Sequence, residues 1–232
     1  MFHQISLSGH RIAKKAAIAT GAFMALAAAS VTGAQAAPIT FAYEGTVNIA
    51  SGGAAFDAFL GQTAKFEFTF EPTTATDDFP GDTTDGAYQN AITAISVTVG
   101  GYSATGSGGL IRVYDEHFSN GDEYLINAFV GLGEIAGADI GGLALSGVDL
   151  ILSEMAGGSA ITSDALLLVQ PDPADFSLDT FFLTFFDGVS EFGTIEVLGL
   201  TSSSTAVAEP GTLAVLGLGL AGLGYARRRR KA

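Results

Sequence analysis

The chain has 232 residues, 48% of them hydrophobic, with 24 acidic and 10 basic residues, three His and no Cys. The lack of Cys excludes disulfides, thiolate metal sites and Cys nucleophiles, and so few His residues suit neither a His-rich zinc site nor most Ser-His-Asp arrangements. A length of this order favours one domain with additional segments. The formal charge of −14 argues against a nucleic-acid partner, whose phosphates require a basic face.

The N-terminus has the three parts of a secretory signal peptide. Three basic residues within the first 15 positions precede an uncharged apolar run, residues 16–29, which leads to a small-residue cleavage site. The pattern therefore predicts that residues 1–36 direct the chain to the general secretion translocon and are then removed by signal peptidase. The general route is favoured because these residues contain no twin-Arg pair. The residues predicted to form the cleavage site are Ala34, Ala36 and Ala37.

The central part of the chain, residues 37–200, is predicted to be an acidic all-β extracellular domain. Residues 39–44 and 64–71 alternate apolar and polar side chains, as half-buried strands do. The Gly-Gly pair at 100–101 predicts a hairpin, and Ser163–Val169 is the only strong helix candidate. Strands without alternating helices favour an antiparallel β-sandwich or jelly-roll-like body. Further predicted strands are Leu110–Tyr114, Tyr124–Val130, Leu143–Leu152, Phe181–Phe186 and Phe192–Leu200.

Acidic residues dominate this domain and gather in predicted loops. Residues 37–208 contain 23 acidic residues against two basic ones, Lys65 and Arg112, which leaves a net charge of −21. Loops rich in Asp and Asn supply the oxygen ligands that calcium takes outside the cell. A solvated acidic surface that keeps an exported protein soluble explains the same residues, so calcium is only one of two interpretations. The candidate calcium ligands are Asp115, Asn120, Asp122 and Glu123, and the other acidic groups are Asp77, Asp78, Asp82 and Asp85, and Asp172, Asp175 and Asp179.

No pattern in the sequence selects a catalytic centre. The GxSxG, HExxH and Walker patterns are absent. His117, the only His outside the predicted signal peptide, is interpreted as part of a loop, and no carboxylate pair is singled out for glycoside hydrolysis. We therefore predict that the protein is not an enzyme and has no cofactor apart from the candidate calcium. Two alternatives stay open: a secreted carboxylate-dependent glycoside hydrolase and a calcium-dependent lectin-like module.

The C-terminal segment, residues 207–232, follows a predicted Ser/Thr linker at 201–206 and is predicted to be a membrane segment. Its apolar stretch, 211–226, would be about 24 Å long as a helix. That is shorter than the hydrocarbon core of about 30 Å, but snorkelling basic side chains allow a short helix to span. The basic tail stays in the cytoplasm by the positive-inside rule, which places the acidic domain outside. This tail is formed by Arg227, Arg228, Arg229, Arg230 and Lys231.

The same segment resembles a known sorting signal. The run Glu209-Pro210-Gly-Thr-Leu, the Leu/Gly-rich apolar stretch and the Arg cluster resemble, in that order, the C-terminal signal of PEP-CTERM proteins, which bacteria with an exosortase export. Ala208 stands where that signal usually has its first Pro. The resemblance implies transient anchoring in the inner membrane, recognition by exosortase, and cleavage near Ala208, Glu209 and Pro210.

Together these features predict where the protein acts and the kind of role it has. We expect a bacterial protein that is secreted or displayed at the cell surface, with a non-enzymatic structural or binding role. Its expected partners are the translocon, signal peptidase, exosortase and, in the extracellular matrix, exopolysaccharide. Nucleic acid is not among them.

Overall fold

The structure is a computed structural model that describes residues 37–116, 121–154, 159–190 and 192–203. These residues fall within one compact unit, Ala36–Glu209, and most of them lie in strands. A short helix, α1 (Ala54–Asp57), lies between the first two strands. The eleven strands of the described residues are β1 (Ile39–Ser51), β2 (Thr63–Phe70), β3 (Asp85–Gln89), β4 (Ile92–Val99), β5 (Tyr102–Gly106), β6 (Leu110–Tyr114), β7 (Glu123–Phe129), β8 (Ile135–Gly137), β9 (Ala144–Ser153), β10 (Leu178–Phe186) and β11 (Phe192–Ser202).

All eleven strands belong to one antiparallel sheet, in the order β3-β6-β7-β9-β10-β11-β1-β2-β4-β5-β8. The sheet curls into a half-barrel. The curl is visible in ring contacts: the Tyr102 ring on β5 lies 5.7 Å from the Phe185 ring on β10, although four strands separate β5 from β10. The prediction of an all-β, antiparallel body is therefore confirmed.

The core lies inside the curl and is built by alternation along the strands. In β2 the side chains of Ala64, Phe66, Phe68 and Phe70 are buried, and the residues between them face outward. Phe56 of α1 is also buried and packs edge-on against Phe185, with ring centroids 5.2 Å apart. Burial of aromatic side chains supplies the large apolar area that a domain without disulfides depends on.

The predicted strands are found close to where they were expected, but the helix candidate is not found. On β10 the side chains of Phe181, Leu183 and Phe185 are buried in the core, whereas Phe182 and Phe186 are half-buried on the outer face. The helix predicted at Ser163–Val169 is wrong, because these residues are irregular. The Tyr88 hydroxyl of β3 donates to Asp164 O at 3.2 Å and accepts from Leu166 N at 2.9 Å. Backbone groups that a helix would use are thus bonded to the sheet instead.

The end of β11 moves the start of the predicted Ser/Thr linker. Thr201 and Ser202 pair with Glu44 and Tyr43 of β1, so the strand extends two residues into the stretch predicted as linker. The register shift between Glu44 and Thr46 faces Gly199, whose φ of +67° places it in the left-handed region that glycine adopts readily. Backbone pairing across this bulge explains why polar side chains continue a strand.

Within the described ranges, no helix is long and apolar enough to cross a membrane. The predicted membrane segment, 211–226, and the predicted signal peptide, 1–36, lie outside those ranges.

Candidate functional site

The described chain ends beside the central strand β1, five residues before the predicted sorting residue Ala208. Ser203, the last described residue, donates its backbone N–H to Ala42 O at 2.9 Å. Of the predicted signal-cleavage residues, Ala37 is the first described residue, and it is half-exposed just before β1. The sorting residues Ala208, Glu209 and Pro210, the tail Arg227, Arg228, Arg229, Arg230 and Lys231, and the cleavage residues Ala34 and Ala36 lie outside the described residues.

The structure brings two of the three acidic groups together. The loop that carries Asp77 to Asp85 lies beside the loop that begins at Asp115, because Asp85 pairs with Tyr114 and Asp115 N donates to Thr84 O at 3.0 Å. The third group lies elsewhere: Asp179 accepts from Leu200 N at 2.8 Å. The two loops are near each other because β3 pairs with β6. The spacing of the acidic residues in the sequence does not predict this pairing.

Asp122, a candidate calcium ligand, has a structural role in the fold. Its side chain is 0% exposed, and its two carboxylate oxygens accept from Glu116 N at 3.2 Å and from Ile161 N at 2.8 Å. Its backbone carbonyl accepts from Glu154 N at 2.8 Å. One residue thereby joins three segments, and buried carboxylates are stable when backbone N–H groups satisfy them.

The remaining candidate ligands do not converge on a metal position in the described residues. Glu123 follows Asp122 directly and Asp115 is seven positions before it, whereas Asn120 lies outside the described part of the chain. Among the described residues, no group of three or more His, Asp or Glu side chains is placed to hold a metal ion. Calcium binding at this loop stays a prediction.

The surroundings of Asp115 change the titration of its carboxyl. Burial raises the pKa of its carboxyl, and the charges of Asp122, Glu116 and Asp164 raise it further. A raised carboxyl pKa is what a general acid needs. However, glycoside hydrolysis requires two carboxylates that reach the substrate, and its neighbour Asp122 is closed off from solvent.

A cluster of charged and aromatic side chains surrounds Arg112 on the outer face of the described sheet. Arg112 Nε and Nη2 donate to the two oxygens of Asp85 at 2.9 and 2.6 Å, and this hydrogen bonding raises the pKa of the guanidinium. Its Cζ lies 4.6 Å from the ring centroid of Tyr114 and 5.7 Å from that of Phe79. Phe79 remains 47% exposed.

Sequence reasoning missed this aromatic–arginine cluster, although one signal was present. Arg112 is one of only two basic residues in the acidic body, and it interrupts an otherwise apolar strand, Leu110–Tyr114. Tyr114 lies on the same strand, but Asp85 and Phe79 come from β3 and from the loop before it, so these two contacts depend on strand pairing. Chemically, an exposed ring beside guanidinium and carboxylate groups offers an apolar platform with polar groups at its edge.

Comparison with known proteins bears on the C-terminus. The family model for the PEP-CTERM protein-sorting motif matches residues 206–231. No curated protein and no solved structure matches the chain. The motif implies a secreted or cell-surface bacterial protein that is targeted to exosortase as its processing partner.

Proposed function

We propose that this chain, which carries a PEP-CTERM protein-sorting motif at residues 206–231, is an exosortase-processed protein with a non-enzymatic structural or binding role in the extracellular polysaccharide matrix. In this account residues 1–36 direct export and are removed. The segment 207–232 then anchors the body in the inner membrane until exosortase cleaves near Ala208, Glu209 and Pro210. The observation that carries the proposal is the motif itself, attached to a compact body that ends a few residues before it.

The build of the body supports a structural or binding role. Its curled sheet encloses one continuous core, and Phe66 of β2 contacts Phe181 of β10 across it at 5.7 Å. We propose that the two halves of this sheet pack as a β-sandwich, a scaffold that requires no cofactor for its stability. The closed environment of Asp122 disfavours the glycoside hydrolase alternative for the acidic loops.

Export and processing are tested by following the location of the body in two strains. An epitope inserted at the exposed β10–β11 turn and a second one at the C-terminus are tracked in exosortase-positive and exosortase-deleted cells. We expect the body epitope outside the cell without the C-terminal epitope in the first strain, and both epitopes together in the membrane in the second. Equal distributions in both strains would contradict processing by exosortase.

We further propose that polysaccharide contacts the Phe79–Arg112 cluster, because Phe79 is exposed beside the guanidinium. Exposed aromatic rings stack on apolar ligand faces, and the charged groups at their edge donate or accept hydrogen bonds. The test is retention of the Phe79→Ala protein on the producing organism's exopolysaccharide. Phe192→Ala is the matched control, since Phe192 is also exposed but lies at the β10–β11 hairpin.

We expect Phe79→Ala to lose retention while Phe192→Ala keeps it. Equal retention of both variants would overturn the assignment of the cluster. Shortening of the polysaccharide by the unmodified protein would favour the hydrolase alternative, and retention that requires calcium would favour the lectin-like alternative.

A further inference from the structure

The C-terminal exit of the body is fixed at one backbone carbonyl. Ala42 O accepts from Ser203 N at 2.9 Å and from Gln170 Nε2 at 2.5 Å, and Ala42 N donates to Gln170 Oε1 at 3.2 Å. Because two donors share one acceptor, Gln170 and Ser203 lie side by side. The described chain therefore ends close to Gln170.

Two exposed apolar side chains immediately precede Gln170. Leu168 is 58% exposed and Val169 is 81% exposed. The preceding residues, Leu166 and Leu167, are partly buried against the core, which holds the base of the loop on the body. The body thus presents two adjacent apolar side chains beside the point where the chain leaves it.

The tether beyond this point is short. Seven residues, 204–210, separate Ser203 from the apolar segment 211–226. Fully extended, they span at most about 25 Å. A tether of this length keeps the two ends at a high effective concentration, on the order of millimolar, so a surface at one end meets the loop at the other continually.

We propose that residues 168–169 insert into the lipid surface while the precursor is anchored, so that the body rests on the membrane by the end that carries its exit. This inference rests on the membrane step of the proposed function. Apolar side chains at an interface gain from burial at the boundary between headgroups and acyl chains. Nearby Asp164 and Asp172 are acidic, which favours a zwitterionic surface over an anionic one.

The hairpin turn at the far end of β11 provides an internal control. Val189 is 83% exposed, about as much as Val169. It lies in the turn before Phe192, and the exit lies after Ser202 at the other end of the same strand. Eleven residues of strand separate the two ends by about 35 Å. Val169 and Val189 are therefore about equally exposed, but only Val169 lies near the tether.

The test uses the full chain in phosphatidylcholine vesicles. Because the chain has no Cys, Val169→Cys and Val189→Cys each provide one labelling position for a polarity-sensitive fluorophore. We expect emission at position 169 to shift to shorter wavelength and to be quenched by a lipid-attached quencher, while emission at 189 stays unchanged. The shift at 169 should weaken when anionic lipid replaces part of the phosphatidylcholine.

The outcomes separate this inference from the proposed function. A chain that floats with the vesicles but gives equal emission at 169 and 189 overturns the inference alone. A shift at 169 that appears without vesicles and grows with protein concentration indicates a second copy as the occupant, and also overturns it. A chain that does not float with the vesicles overturns the membrane step on which both rest.

Discussion

At the scale of single residues, two buried tyrosines differ in one hydrogen bond. Tyr43 and Tyr124 are both fully buried, and burial raises the pKa of each hydroxyl. The Tyr43 hydroxyl donates to Pro171 O at 3.4 Å, whereas the Tyr124 hydroxyl has no hydrogen-bond partner in the described structure. An unsatisfied buried hydroxyl opposes folding, because it has lost its bonds to water.

We therefore expect Tyr124→Phe to leave the free energy of unfolding unchanged or to raise it by about 1 kcal/mol. Tyr43→Phe should lower it by about 0.5–1 kcal/mol, because it removes a bond that is made. Urea unfolding of both variants, followed by circular dichroism, measures the two changes. A larger loss for Tyr124→Phe than for Tyr43→Phe would show that the Tyr124 hydroxyl has a partner.

The two basic residues of the body form ion pairs of different kinds. Lys65 and Glu67 are 3.0 Å apart with side chains 38% and 36% exposed, whereas Arg112 holds the largely buried Asp85 by two hydrogen bonds. Exposed pairs contribute little because water screens them. Removing one partner of a largely buried pair leaves a carboxylate without compensation.

We expect Arg112→Ala to lower the free energy of unfolding by about 2–3 kcal/mol, and Lys65→Ala by less than about 1 kcal/mol. Denaturant midpoints of the two variants provide the comparison. Equal midpoints would mean that the Arg112–Asp85 pair stabilises the body no more than a surface pair does.

At the scale of elements, β3 depends on the segment that covers it. A Cβ atom at Gly86 would overlap the backbone oxygen of Asp164, so only glycine permits the 160–170 segment to lie on this edge strand. Gly86→Ala should therefore displace the segment and cost about 1–3 kcal/mol, as overpacking does. Gly101 is the control, because a Cβ there meets no atom within 4 Å and its φ is not positive.

Thermal unfolding of Gly86→Ala and Gly101→Ala measures this contact. We expect a lower melting temperature for the first variant and an unchanged one for the second. An unchanged melting temperature for Gly86→Ala would mean that the 160–170 segment is free to move away from β3 at no cost.

Strands were predictable where one face alternates strongly, as in β2, because the period-two pattern is local. By contrast, β3 has one large apolar residue, Tyr88, and its burial comes from the distant 160–170 segment. The helix predicted at Ser163–Val169 failed for the same reason, since Tyr88 binds its backbone groups. The Arg112 cluster also requires the register of β3 against β6. The burial of β3, the conformation of residues 163–169 and the Arg112 cluster all depend on contacts between distant segments. Local residue patterns do not reveal such contacts.

At the scale of the whole molecule, the sequence was most informative about the destination to which the protein is exported. The order of motif, apolar stretch and basic cluster is contiguous, so it was recognisable without a fold, and the sorting motif is confirmed at 206–231. The residues of the candidate site on the body are not contiguous in sequence, because they meet only through strand pairing. The net charge of −14 combines two basic ends with a strongly acidic body, which the proposed processing would separate.

The central claim is that the tail is removed during export, and the intact mass of the extracellular protein tests it most directly. Protein collected outside exosortase-positive cells should begin at Ala37 and end near Ala208, Glu209 and Pro210, without the basic tail. Protein from exosortase-deleted cells should keep the tail and stay in the membrane fraction. An extracellular protein whose mass includes Arg227 to Lys231 would contradict the account.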